Sequence, residues 1–256
     1  MNNGDTYLLR SKNKLEYEGM EFESNTYGKF TVLEYISNVN IVIKFLKTGF
    51  VTKTTLTQIQ LGTVADKLLP RLYGVGVLGG KYPLKDGGKT KREYKLWSGM
   101  LYRCYDDGYK KRFPTYNECE VSDYFKRYDN FHEWCNTQKG FTETGWHLDK
   151  DLIVSGNKFY SENNCVFLPE LINLAIVKPK KSRDLPTGVS KVYKSRKFVA
   201  RISRYGNTES LGAFSEIEDA CNIYKEAKKS YIAELADKYK HLLDERAHVS
   251  LINYEV

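Results

Sequence analysis

No run within the 256 residues approaches the roughly 20 consecutive apolar positions that a membrane-spanning helix needs. The opening MNNGDTYLLRSKNK also lacks the apolar core of a secretory leader. Both absences predict a protein without a membrane anchor that stays in the cytoplasm. Cysteine is scarce and poorly spaced for pairing: five residues, at 104, 119, 135, 165 and 221, with no CxxC step. That pattern argues against a disulfide framework and against a four-thiolate zinc site, whose ligands come in close pairs, and it predicts reduced core thiols. Acidic residues are outnumbered, 32 Asp and Glu against 40 Lys and Arg, for a net charge of +8. A basic chain favours a polyanionic partner, because each phosphate it neutralises releases condensed counterions. The excess is concentrated: Lys178 to Arg204 holds ten Lys or Arg against the single acid Asp184.

The length suits two or three small domains, and the pattern along the chain predicts an α+β protein built in segments. Residues 1–73 read as a small β-rich module, with strands FTVLEY, IVIKF and FVTKTTL and with Val39, Ile41 and Ile43 on one side of the pleat. A glycine-rich stretch, 74–93, is expected as a linker or a loop lying against backbone. Its Gly74, Gly76 and Gly79 match a phosphate-cradling spacing, but no helix pattern follows them. Residues 94–177 begin with two amphipathic helices, YKLWSGMLYRCY and YFKRYDNFHEWCN. A β-hairpin, WHLDKDLIV returning through FYSENNCVF, comes next, and then the helix PELINLAIV. A basic hinge spans 178–186. Residues 187–256 predict a three-stranded sheet, GVSKVY, KFVARIS and ESLGAF, packed on a long helix from about Glu216 to His241 that opens with a Ser215/Glu218 capping box. Alternation on the middle strand gives Phe198, Ala200 and Ile202 to the helix, and Lys197, Val199 and Arg201 to the open face.

The succession WSGMLYRCY, PTYNECEVSDYF, YDNFHEW and HLDKDLIVSGNKFYSENNCVFLPELIN resembles the HNH-type endonucleases common in phage genomes. The resemblance covers most of residues 94–174. It implies a hairpin and helix forming a ββα-metal site, in which one divalent ion such as Mg²⁺ stabilises the scissile phosphate and a strand residue activates water. By position, Asp149 and Asn173 are the implied metal ligands, and Asn164 is the asparagine that ties the hairpin loop and orients the base. Lys150 stands where the family usually has its catalytic His. A lysine there is a poor general base and repels a nearby cation, whereas His147 lies on the same strand face as Asp149 and is the substitute.

The following segment, TGVSKVYKSRKFVARISRYGNTESLGAFSEIEDACNIYKEA, resembles the ethylene-response-factor type of DNA-binding domain. That resemblance implies a sheet laid on duplex DNA with the helix behind it. Lys194, Arg196, Lys197, Arg201 and Arg204 are then the implied contacts to phosphates or base edges. Residues 1–70 are similar to the first segment of some such phage proteins, but IKFLKTG replaces the cysteine step found there.

Two functions follow as expectations. One is a site-specific endonuclease of the homing kind, cutting a phosphodiester with one divalent ion. The other is a DNA-binding protein with a degenerate nuclease centre, acting by occupancy as a phage regulator or a host-directed factor in the host cytoplasm. The missing His at position 150 favours binding; the retained Asp149, Asn164 and Asn173 favour cutting. An RNA partner is the weaker alternative, and no dimer seam is visible in the sequence.

Overall fold

Period-two alternation in the first segment produces a sheet. The computed structural model describes residues 14–177 and 185–256. A short helix α1 (Lys14–Tyr17) leads into strands β1 (Glu21–Ser24), β2 (Gly28–Ser37), β3 (Asn40–Phe45) and β4 (Val51–Thr54), an antiparallel meander in the order β1-β2-β3-β4. Ile41 and Ile43 are fully buried with Phe30 and Phe45, and Tyr17 stacks on Tyr35 at 4.9 Å. Val39 departs from the expected face and is 76% exposed. It lies in the two-residue turn between the paired Ser37 and Asn40, where strand alternation has already ended. A further short helix, α2 (Leu56–Gln60), begins with a reciprocal cap. Thr55 Oγ1 accepts from the Gln58 amide at 3.2 Å, and Gln58 Oε1 accepts from the Thr55 amide at 3.2 Å.

The glycine-rich stretch lies against backbone and side chain. The Asp129 carboxylate accepts from the amides of Lys81 (3.2 Å) and Tyr82 (3.4 Å), and a methyl group on Gly79 would stand 1.8 Å from its Oδ2. A small hairpin, β5 (Lys85–Asp86) with β6 (Lys89–Thr90), turns through Gly87 and Gly88, both at positive φ. Helix α3 (Arg92–Tyr105) buries Trp97, Met100, Leu101 and Cys104, the three- and four-residue steps of one helical face.

The described residues divide into two compact units. One holds those up to Asp106 with Lys126–His132; the other holds Asp107–Phe125 with Glu133–Val256. Helix α4 (Asp107–Arg112), a 3-10 turn (Pro114–Tyr116) and strand β7 (Glu120–Val121) come next. The single helix expected across Tyr124–Trp134 is two: α5 (Asp123–Lys126) and α6 (Tyr128–Thr137). The break falls at Arg127 because the Val77 backbone inserts there, donating to Lys126 O at 2.9 Å and accepting from the Tyr128 amide at 2.8 Å.

Strand β8 (Trp146–Asp149) then pairs antiparallel with β10 (Val166–Pro169), while β9 (Phe159–Tyr160) between them pairs parallel with β7. Helix α7 (Glu170–Ile176) follows β10 without a loop. The last sheet orders β11 (Val189–Lys191), β12 (Phe198–Arg204) and β13 (Asn207–Phe214) antiparallel. Behind it packs α8 (Ile217–Tyr239), which buries Ala220, Tyr224, Tyr231, Ile232, Leu235 and Ala236. The expected Ser215/Glu218 box is absent: the N-cap is Glu216, and no side chain caps the helix. Helix α9 (Glu245–Ile252) ends the described fold. The architecture is therefore mixed α+β, with a small first sheet, a central helical and hairpin region, and a three-stranded sheet on a long helix. No helix among the described residues is long and apolar enough to cross a membrane. Most of the basic hinge, 178–184, lies outside the described residues.

Candidate functional site

The register of β8 on β10 decides what the hairpin presents. Asp149 pairs with Val166 and His147 with Leu168, so His147 and Asp149 share one face while Trp146 is buried. Because α7 starts directly after Pro169, its Asn173 comes to the cleft that Asp149 lines. The cleft, of about 870 Å³, is also lined by Lys150, Asp151 and Lys158 of the hairpin loop, by Thr115, Tyr116 and Cys119, and by Tyr254 beyond α9. His147 is exposed and does not line it.

Asp149 is partly buried, and its Oδ1 accepts from the amides of Asp151 (2.9 Å) and Leu152 (2.8 Å). Burial raises its carboxyl above the ordinary aspartate value, against the pull of those two amides. One carboxylate oxygen thus shapes the turn after β8, and Oδ2 is the oxygen available to a ligand. Tyr254 closes part of the cleft, its hydroxyl donating to Ile176 O at 3.1 Å, and burial followed by the charge of Asp149 pushes its phenol up.

Lys150 occupies the position of the expected base, yet its side chain is built into the loop. It is 7% exposed, and its Nζ donates to Asp151 Oδ1 at 2.5 Å and to Asn157 O at 2.6 Å, with the Tyr160 ring 5.6 Å away. A buried ammonium needs such partners to offset its desolvation. These bonds close the loop between β8 and β9.

Asn157 clasps that loop from the other side. Its Nδ2 donates to Lys150 O (2.8 Å) and Phe159 O (2.7 Å), and its Oδ1 accepts from the Phe159 amide (3.0 Å). Asn164, expected to tie the loop, takes part through its backbone: its amide donates to Ser161 O at 3.2 Å. The sequence signal for Asn157 was the SGNK turn, whose asparagine side chain satisfies nearby backbone groups.

No family model, curated protein or solved structure matches the chain.

Among the described residues no three His, Cys, Asp or Glu side chains are grouped so as to hold a metal ion. The oxygen donors lining the cleft include the Asp149 and Glu255 carboxylates and the Asn173 and Asn253 amides, with Asp151 paired to Lys150. Asp149 with the neutral oxygen of Asn173 is a donor pair that suits Mg²⁺, which binds through one or two carboxylates, keeps several waters and takes phosphate oxygens from its substrate. The thiols are poor ligands here: burial raises Cys119 and pushes Cys165 up to about 12.

The second set of predicted residues lies on β12 and in the turn that joins β11 to it. Ala200 and Ile202 are buried toward α8, and Arg201 is exposed, donating to Ser190 Oγ at 2.8 Å. Lys194, Arg196 and Lys197 are exposed in the turn before β12, where Lys194 has a φ of 54° and Tyr193 is 85% exposed. Arg204 differs. Its Nη2 donates to Ala227 O of α8 at 3.3 Å, and its guanidinium lies 5.7 Å from the Tyr231 ring. Strand parity explains this, since Arg204 falls on the same side of β12 as Ala200 and Ile202. Beyond it, Tyr205 and Gly206 both have positive φ, a two-residue turn whose twist suits an antiparallel hairpin.

Proposed function

We propose that the protein binds duplex DNA through the face of the β11–β13 sheet that α8 leaves open. The observation that carries this reading is the exposure of Arg201 on β12, and of Tyr193, Lys194, Arg196 and Lys197 in the turn that joins β11 to β12, on a sheet whose other face is closed by the helix. Cations without buried partners release phosphate counterions on binding, and the arginine forks can read guanine edges. The paired substitution Arg196→Ala/Arg201→Ala is expected to weaken equilibrium binding to a labelled duplex at least tenfold and to flatten its salt dependence. Absence of wild-type binding at low salt would overturn the reading.

A second reading is favoured by the ββα arrangement, which brings Asp149 and Asn173 to one cleft. On this reading the cleft takes a phosphodiester, and Asp149 and Asn173 hold a Mg²⁺-like ion that supplies Lewis-acid stabilisation to the phosphate. Lys150 belongs to the loop framework in this scheme, not to the proton transfers. Incubation of supercoiled plasmid with Mg²⁺, Mn²⁺ or EDTA tests it: metal-dependent nicking lost in Asp149→Ala supports hydrolysis. Binding without nicking under any metal leaves a DNA-binding protein that acts by occupancy.

A further inference from the structure

Helix α4 has six residues, none of them buried, so it gains little from packing and is too short to be stable by itself. Its last turn carries Lys110, Lys111 and Arg112. Lys111 and Arg112 are exposed and Lys110 is half-buried; the following Phe113, Pro114 and Thr115 are exposed, and Tyr109 packs on Phe113 (4.7 Å) and Tyr116 (5.4 Å) to give the segment a small aromatic base. This segment runs straight into the cleft, since Thr115 and Tyr116 line it. Lys158, exposed and also lining the cleft, donates to Thr115 O at 2.8 Å and fastens the segment to the hairpin loop. The segment's acids, Asp107 and Glu118, stand at its two ends, leaving the middle cationic.

We infer that α4, the turn after it and Lys158 form a second nucleic-acid surface, which holds the phosphodiester backbone at the mouth of the Asp149 cleft. The inference rests on the DNA-binding reading and adds to it a site that neither resemblance assigns. Cations in the last turn of a helix also complement its dipole, but that accounts for none of Lys158, which is on the hairpin loop. The buried Cys119 thiol lies within reach of charges from both elements: burial raises it, Lys150, Lys158 and Lys110 pull it back, and Asp151 opposes them. Successive cations on a helix fan out at about 100° per residue, so two of the three are able to meet one strand together with Lys158.

The test uses the full chain and a labelled duplex, with binding measured over a series of KCl concentrations. Neutralising Lys110→Gln/Lys111→Gln/Arg112→Gln is expected to weaken binding at least tenfold and to reduce the slope of log affinity against log salt by about 2, near 0.9 per lost phosphate contact. Lys158→Gln alone is expected to reduce it by about 1. The control Lys225→Gln/Lys229→Gln removes charge from exposed positions on α8 and is expected to leave the slope unchanged. If the α4 variant and Lys158→Gln match the wild type while Arg196→Ala/Arg201→Ala does not, the surface is refuted and the DNA-binding reading stands. An equal loss in the control also refutes it, as a general charge effect. A wild-type protein that binds no duplex refutes both.

Discussion

Replacing Asn157 with alanine removes three hydrogen bonds in one step: two donated by Nδ2, to Lys150 O and Phe159 O, and one accepted by Oδ1 from the Phe159 amide. A typical intramolecular bond contributes about 1 kcal/mol net, and an uncompensated buried acceptor costs more. Phe159 is exposed, so water takes over part of its bonding. Lys150 is buried, so its carbonyl has less recourse to water. The expected loss is about 2 kcal/mol. Because Lys150 Nζ donates to the backbone oxygen of residue 157, the loosened turn also weakens the anchor of that buried ammonium. Asn164→Ala, which leaves its backbone bond to Ser161 intact, is expected to cost under about 0.5 kcal/mol. Urea unfolding followed through Trp134 and Trp146, both in the second unit, is the measurement, with hydrogen exchange across 150–160 locating the change. A large effect at Asn164 with a negligible one at Asn157 would refute the assignment of the loop tie.

Asp149→Asn keeps an oxygen to accept the Asp151 and Leu152 amides but removes a charge that burial penalises. Since the folded carboxyl is raised, the contribution of Asp149 to stability is fully present below the ordinary aspartate value and is lost as pH rises through the folded value. The variant is therefore expected to melt higher at pH 7 and to match the wild type near pH 3, which thermal melts at both pH values check. Gly188→Ala puts a methyl group 2.1 Å from the Tyr224 ring at a φ of 78°, and is expected to cost about 3 kcal/mol by overpacking and strain, read by chemical denaturation. Tyr193→Ala, at an 85% exposed position, is expected to change stability by under about 0.5 kcal/mol while weakening duplex binding several-fold. Lys150→His, which installs the residue usual in HNH nucleases, is expected to lower stability by about 2 kcal/mol without creating or raising nicking activity. Melting and a plasmid assay measure the two effects together.

The elements that the sequence made legible are those whose period is enforced by burial on one face. Ile41 and Ile43 on β3, Ala200 and Ile202 on β12, and Trp97, Met100, Leu101 and Cys104 on α3 all lie where their spacing puts them. Contacts between segments distant in sequence were not legible. Arg127 reads as an ordinary helical residue until the backbone of Val77 interrupts the helix beside it. Short-range chemistry was misjudged in both directions: Thr55 and Gln58 form a cap from the same kind of pattern that Ser215 and Glu218 carry without forming one. Arg204 was readable from parity, which assigns it to the helix side, although its charge suggested the open face. In the cleft, Asp149 at the end of β8 and Asn173 on α7 both contribute to the lining, but the choice between Asn157 and Asn164 depended on which side chain the loop turns inward.

Position 150 shows why a residue's place in a motif does not fix its chemistry. On β8, His147 and Asp149 share a face, and the residue after Asp149 enters the loop, where it turns toward Asp151 and Asn157. Lys150 lines the cleft, but its ammonium is committed to the Asp151 carboxylate and the Asn157 carbonyl. Lysine suits the place because its long stem reaches two oxygen acceptors and its charge offsets that of Asp151. An imidazole is shorter and leaves Asn157 O without its donor. The loop that Lys150 and Asn157 hold is also the loop that carries Lys158 to Thr115 at the mouth of the cleft. On the proposed nucleic-acid surface, replacing Lys150 is expected to disturb the placement of Lys158, and with it backbone binding, which the salt dependence of duplex binding by Lys150→Gln would read.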